Sequence, residues 1–165
     1  MANGKNGLGW WQGEEAWMQL MSGGTMGVFY GAAGLWQWMV SGDEEGWPDW
    51  TNQGKSWKEA MDMSGSTYVG LVGKILQDYD LTDIEKRTDL VADGKPILAK
   101  IGKLYIAYSD DGRFGEIMDL PEGLPLKIVN AKNGQELKSG VLNSASTFIE
   151  TTDNPTVLII GEPTS

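Results

Sequence analysis

Two groups of residues in this chain have the chemistry to act on a ligand. The stretch from Gly27 to Trp38 reads GVFYGAAGLWQW and places Tyr30, Trp36, Gln37 and Trp38 among three glycines, with no formal charge. An aromatic ring offers a flat apolar face, and a neighbouring carboxamide both donates and accepts hydrogen bonds. Together they complement a sugar ring, which has an apolar C–H face and a rim of hydroxyls. Trp47 and Trp50 follow in a loop with Asp43, Glu44, Glu45 and Asp49. There they would either border a groove or clamp the loop onto the body of the protein. The glycines also permit close packing, so the aromatics of the first stretch could equally fill a core, and Val28 and Phe29 read as core. The second group is the pair Glu14–Glu15. Two carboxylates flanking one bond can perform acid–base cleavage, but adjacent helical residues point about 100° apart. Placement at a helix start, where carboxylates meet the positive end of the dipole, accounts better for the pair.

Composition removes several alternatives. The chain has no cysteine and no histidine, which excludes thiolate catalysis, Ser-His-Asp chemistry and the commonest zinc ligand. No cofactor and no metal are expected. Asp43, Glu44 and Glu45, like Asp110 and Asp111, offer oxygens of the kind calcium takes. Neither run has EF-hand spacing, and solvated loop charge explains both. Gly31 and Gly34 do not belong to a phosphate loop, because no Lys-Ser/Thr follows. Thirteen basic against 23 acidic side chains give a net charge of −10, which repels nucleic acid and anionic membrane at long range. Residues 1–8 contain a lysine and no apolar run, unlike a secretory signal. No stretch reads as a membrane span.

The elements that would position these residues fall into two textures. All eight tryptophans lie at or before Trp57, and the shift predicts a boundary near the turn residues between Leu90 and Pro96, giving parts 1–92 and 93–165. In the first part, residues 13–21 read as a helix with Trp17, Leu20 and Met21 on one stripe, stopped by Gly23 and Gly24. Residues 25–30 read as a strand buried on both faces. Residues 64–79 read as a helix whose core face is Tyr68, Leu71, Val72, Ile75, Leu76 and Tyr79. Gly70 and Gly73 within it predict close approach of a neighbouring element. In the second part, seven short strands are expected at 97–101, 104–108, 114–120, 126–130, 136–141, 147–151 and 157–160. Asn133-Gly134 marks a hairpin, and the unbroken Val157-Leu158-Ile159-Ile160 marks a central strand. Tyr105 alternates with Leu104, Ile106 and Tyr108 and would be the surface aromatic of its strand. The overall expectation is an α+β chain in two parts, helix–strand–helix and then a small antiparallel β-sandwich.

The order SGG-TMGVFYGAAGLWQW, a Trp-rich loop, AMDMSGSTYVGLVGKIL, then KLYIAYSDDGRFGEIMDL and PTVLIIGE resembles the C-terminal part of the apiosidase-like glycoside hydrolases. These are bacterial enzymes with a (β/α)8 TIM barrel and a trailing β-sandwich, labelled in some members as collagen-binding. The resemblance implies that residues 15–23 are the seventh barrel helix, 25–30 the eighth strand and 64–79 the eighth helix. It also implies that the catalytic carboxylates lie on earlier strands, leaving no catalytic residue here and a chain inactive by itself. Tyr30, Trp36, Gln37, Trp38, Trp47 and Trp50 would then be substrate contacts of the intact, secreted or periplasmic enzyme, with carbohydrate as the partner. Two departures from the pattern stand out. Members commonly read Gly-His-Thr-Tyr-Gly where this chain has Gly27-Val28-Phe29-Tyr30-Gly31, and a basic residue often opens the helix where Glu14-Glu15 stand. Non-catalytic alternatives are a sandwich that recognises an extracellular carbohydrate or collagen-like polymer, with Tyr105, Tyr108 and Phe114 as its surface aromatics, and a sandwich that only braces the barrel. The Trp-rich first part is expected to fold against the sandwich or to self-associate as a homo-oligomer.

Overall fold

The computed structural model of the chain describes residues 9–28, 31–32, 40–41, 56–151 and 155–164. Within these residues α1 spans Trp10–Met21, α2 Trp57–Met61 and α3 Ser64–Leu76. The strands are β1 Glu85–Arg87, β2 Ile97–Lys100, β3 Leu104–Ser109, β4 Arg113–Ile117, β5 Pro125–Asn130, β6 Glu136–Val141, β7 Thr147–Glu150 and β8 Thr156–Gly161.

Helix α1 begins at Trp10, after Gly9 in the left-handed region at φ 78°, three residues before the expected start. Glu14 and Glu15 therefore sit in the second turn, and the expectation that they stabilise the helix start is corrected. The helix stops as its glycines predict. Gly24 N–H donates to Gln19 O at 3.0 Å and Gly23 N–H to Leu20 O at 2.9 Å, the paired bonds of a Schellman closure. Residues 25–28, the described part of the expected buried strand, are turn and irregular chain, and the Met26 side chain is fully exposed. A strand persists only where a neighbour takes up its backbone groups, and no described strand lies alongside this one.

Helix α3 ends at Leu76, three residues short of the expected limit, and buries Val72 and Leu76. Tyr68, Ile75 and Tyr79 pack at the margin of the same core. Close approach of α1 and α3 occurs, but not at the expected glycines. A Cβ on Gly70 or Gly73 would meet nothing within 4 Å, whereas one on Gly13 would lie 2.8 Å from Tyr68 Cβ and 3.0 Å from the Trp10 ring. The apolar stripe of α3 turns Gly70 and Gly73 toward water, so the contact falls to Gly13 on α1.

The strands form a six-stranded sheet in the order β1-β2-β3-β8-β5-β6 and a two-stranded sheet, β4-β7, all paired antiparallel. The mixed α+β class and the sandwich are as the sequence predicts. Strand β8 is interior, between β3 and β5, and each of its residues is buried. Its alternate side chains serve opposite layers. Val157 and Ile159 join Leu98, Leu104 and Ile106 beneath the helices, with Trp10, Trp17, Leu20, Val72 and Leu76 above them. Leu158 and Ile160 join Ala99, Tyr105 and Ile128 against Phe114 and Ile117 of β4. Each aliphatic side chain so buried contributes about 1.5–3 kcal/mol before the entropy of ordering is subtracted.

The hairpin β5–β6 turns at Asn133-Gly134. Gly134 has φ 74°, and its N–H donates to Asn130 O at 2.9 Å. Strand β1 begins before the expected boundary and pairs with β2, Lys86 opposite Leu98. The helices and the large sheet thus share one core.

Candidate functional site

Tyr30, Trp36, Gln37, Trp38, Trp47 and Trp50 all lie outside the described residues, as do Asp43, Glu44 and Glu45. The described surroundings are Val28, Gly31 and the buried Ala32, and the helix pair α1 and α3.

The inward stripe of α1 is aromatic and dry. Trp10 meets Tyr68 edge to face at 5.2 Å, a favoured quadrupole geometry. Trp17 stacks on Tyr108 of β3 at 5.8 Å with planes 4° apart. Trp10 Nε1, Trp17 Nε1 and Tyr108 Oη are buried without a hydrogen-bond partner among the described residues. Burial, with the Glu14 and Asp110 carboxylates nearby, pushes the Tyr108 phenol far up. At neutral pH it remains protonated and serves packing rather than proton transfer.

The outward face of α1 has another character. Trp11 is half exposed and stands between two depressions. One, of about 190 Å³, is bounded by Gln12, Glu15 and Gln19 of α1, Val69 of α3, and Val28. The other is open and runs past Glu14, Met18 and Ser22. Glu14 and Glu15 diverge, with Glu14 near Tyr108 and Glu15 in both depressions. Both also line the open depression, as neighbours on one helix rather than from opposite sides of it. The sequence reading passed over Trp11, Gln12 and Gln19. Their signal is positional, because Trp11, Glu15 and Gln19 recur every four residues on the face opposite Trp10, Trp17 and Leu20.

The sandwich does not present the aromatic surface expected of it. Tyr105 is 2% exposed and Phe114 4%, and Tyr108 lies under Trp17. Tyr105 and Tyr108 do point to opposite faces of β3, as alternation requires, but both faces are covered, one by the helices and one by β4. The Tyr105 hydroxyl accepts the Gly102 N–H at 2.9 Å and so fastens the β2–β3 turn. The exposed aromatic of the sandwich is Phe148 on β7, and one ring does not make a platform. Asp111 accepts from Ser109 Oγ at 2.8 Å and from Arg113 N–H at 3.1 Å, bonds that hold its carboxyl below the usual range. Its role is to shape the turn before β4. Among the described residues no three acidic groups gather as a metal site would need.

A second cleft, of about 360 Å³, lies where the β2–β3 turn meets Glu162 and Thr164. Its floor is the ion pair between Lys100 Nζ and Asp80 at 2.8 Å, with Lys103 at the rim. Lys100 and Asp80 satisfy each other.

Comparison with known proteins bears on the first part most directly. The family model described as "Apiosidase-like, catalytic domain" matches residues 12–83. A glycoside hydrolase family 5 crystal structure from Bacteroides vulgatus ATCC 8482 superposes with a TM-score of 0.73 at 16% identity. It covers 92% of this chain and 36% of its own. A second structure, titled glycoside hydrolase, superposes with a TM-score of 0.71 at 14% identity, over 93% of this chain and 37% of its own. The chain thus spans little more than a third of the structures it resembles. No curated protein matches by sequence. Both the helix-bearing segment and the fold therefore carry the likeness that the sequence motifs suggest: residues 12–83 are similar to the apiosidase-like catalytic domain, and the chain resembles part of an apiosidase-like glycoside hydrolase.

Proposed function

We propose that this chain is a fragment of a carbohydrate-active hydrolase. In this reading residues 1–92 supply the last helices of a (β/α)8 barrel, and 93–165 an accessory sandwich whose sheet also takes in β1. Tyr30, Trp36, Gln37 and Trp38 form one wall of the sugar site, bordered by Trp47 and Trp50. The catalytic carboxylates belong to other strands of the barrel, so the chain alone does not turn over substrate. The observation that carries this reading is the family match over residues 12–83, which contain every proposed sugar contact.

The test has two arms. The chain alone, assayed on aryl glycosides and plant polysaccharides, is expected to release no sugar, and turnover would refute the assignment of the carboxylates elsewhere. In a complete barrel carrying this segment, Trp36→Ala and Trp38→Ala are expected to raise KM by about tenfold, the scale of losing one aromatic face. An unchanged KM would remove these residues from the site.

One observation favours a bracing role for the sandwich over polymer recognition, whether of carbohydrate or of collagen. Tyr105, Tyr108 and Phe114 are committed to the two cores, and α1 and α3 bury their stripes on the sheet. Self-association through the first part would use the apolar side chains still exposed among its described residues, Trp11, Met18, Met26, Val40 and Met61, and sedimentation at several concentrations tests it.

A further inference from the structure

We propose that Asn133 is a site of spontaneous covalent modification, where the side-chain amide is lost and aspartate or isoaspartate forms at a rate set by opening of the β5–β6 turn. The pair Asn-Gly occurs three times in the chain, at Asn3-Gly4, Asn6-Gly7 and Asn133-Gly134. The third lies among the described residues, in a turn whose hydrogen bonds bear directly on the reaction.

The reaction consumes only water. The Gly134 nitrogen gives up its proton and attacks Asn133 Cγ. The new N–Cγ bond closes a five-membered imide while the Cγ–Nδ2 bond breaks, and the side-chain nitrogen takes the proton and leaves as ammonia. Water then opens the imide at either of its two carbonyls. One opening restores the ordinary main chain and leaves aspartate. The other routes the main chain through the former side-chain carbonyl, which is isoaspartate. Glycine lets the attack proceed because it has no Cβ to shield its nitrogen, and both residues are exposed.

Two bonds of the folded turn act on this reaction in opposite senses. Asn133 Oδ1 accepts the Gln135 N–H at 2.9 Å, and that donor steadies the negative charge that develops on the oxygen during attack. Gly134 N–H, however, donates to Asn130 O at 2.9 Å, which retains the proton that must leave. The second bond decides, because an activated Cγ gains nothing while its nucleophile is tied. Asn130 further donates its N–H to Gln135 O at 2.8 Å and accepts the Lys132 N–H on Oδ1 at 2.9 Å. Three such bonds make the open turn about a hundredfold less populated than the closed one. The two products then differ in their effect on the fold. Aspartate keeps an oxygen for the Gln135 N–H. Isoaspartate lengthens the main chain by one carbon between Asn133 and Gly134, inside both backbone rings that Asn130 closes. It also displaces Gly134, where even a Cβ would meet Leu71 of α3 at 3.2 Å. Isoaspartate therefore loosens the β5–β6 hairpin.

The experiment incubates the full chain in mildly alkaline buffer, folded and in guanidinium chloride, and follows Asn133 by peptide mapping with mass spectrometry. Anion exchange collects the products, which add one negative charge to a net of −10. In denaturant the three Asn-Gly pairs should convert at similar rates. In the folded chain Asn133 should convert about a hundredfold more slowly than it does in denaturant. Asn130→Ala removes the acceptor of the Lys132 N–H and should speed the folded chain about fivefold, with no change in denaturant. Its far-UV spectrum should match the wild type, which separates an opened turn from a lost fold. Asn133→Asp, identical to the aspartate product, should keep the wild-type Tm. The collected isoaspartate form should exchange the amide hydrogens of residues 125–141 about tenfold faster. Equal rates at Asn133 in the folded and unfolded chains would overturn control by the turn, and so would a folded Asn130→Ala chain that converts no faster. Conversion of the folded chain more than about ten-thousandfold slower than in denaturant would overturn the site itself. Unchanged exchange in the isoaspartate form would refute the loosening of the hairpin.

Discussion

The contact between α1 and α3 predicts that one substitution, Gly→Ala, will have opposite consequences at neighbouring places in the fold. In a helix interior alanine is favoured over glycine by about 1 kcal/mol, chiefly because it restricts the unfolded chain. Gly70 and Gly73 of α3 face open space. Each should therefore show that gain, discounted to about 0.5–1 kcal/mol. Gly13 of α1 has the same backbone advantage, but its new methyl would lie 2.8 Å from Tyr68 Cβ and 3.0 and 3.2 Å from two Trp10 ring carbons. The nearest of these is a rigid Cβ on the facing helix, not the end of a flexible side chain, so the helices must separate. Overpacking of this kind costs about 1–3 kcal/mol. The propensity term is common to the three sites, so Gly13→Ala should fall below Gly70→Ala by roughly the overpacking cost alone. For a chain of this length each kcal/mol corresponds to about 2–4 °C in Tm. Urea unfolding followed by far-UV circular dichroism, with thermal scans alongside, measures all three variants. If Gly13→Ala gains as much as Gly70→Ala, the helices are not in contact at Gly13 and the account of the α1–α3 crossing is wrong.

Other consequences can be checked with the same measurements. Tyr105→Phe removes the hydroxyl that accepts the Gly102 N–H and should cost about 1 kcal/mol. Tyr105→Ala should cost about 3–5 kcal/mol by leaving a cavity between the layers, so any loss of ligand binding in that variant would report unfolding. Tyr108→Phe deletes a buried hydroxyl that has no partner among the described residues and should be neutral or stabilising by up to about 1 kcal/mol. A large loss would mean that the hydroxyl is bonded in solution. Acid should weaken the fold through carboxylates held down by their partners. Hydrogen bonds from Lys100 and Thr82 keep Asp80 well below the usual range, and Arg87 holds Asp89 at about 2. A depressed carboxyl contributes its stability above its unfolded value near 4, and that contribution is lost as pH falls toward the folded value. Urea midpoints should therefore be level from pH 8 to 5 and decline below about 4. Asp80→Asn should flatten the decline, and an equal slope in that variant would remove the Asp80–Lys100 pair from the explanation.

How far the sequence could be read depended on whether a local pattern had one structural solution or several. Val157–Ile160 is four apolar residues without alternation, which leaves little choice but a strand covered on both faces, and β8 is one. Asn133-Gly134 supplies the positive φ that the β5–β6 turn requires. Tyr105 shows the limit of the method. Alternation correctly set it against Leu104, Ile106 and Tyr108, but which face is wet depends on whether another layer lies above it. Nothing within β3 announces the β4–β7 pair that covers Tyr105. Strand β1 escaped notice because Glu85-Lys86-Arg87 has no apolar member. Short and charged is how an edge strand avoids further pairing. Helix α2 was legible and missed. Ser56 and Glu59 form a reciprocal capping box, which the three-residue spacing of Ser and Glu advertises. For Gly70 and Gly73 the helical wheel already held the answer, since both lie away from the stripe of Tyr68, Val72 and Leu76.

The same wheel bears on the site. On α1 it separates Trp10, Trp17 and Leu20, which a core consumes, from Trp11, Glu15 and Gln19, which no core in the described residues uses. Tryptophan type alone cannot make that distinction, because a buried and a half-exposed indole look alike in sequence. Position relative to a stripe can. Among the described residues Trp11, Glu15 and Gln19 stay exposed, whereas the sandwich commits Tyr105, Tyr108 and Phe114 to its cores.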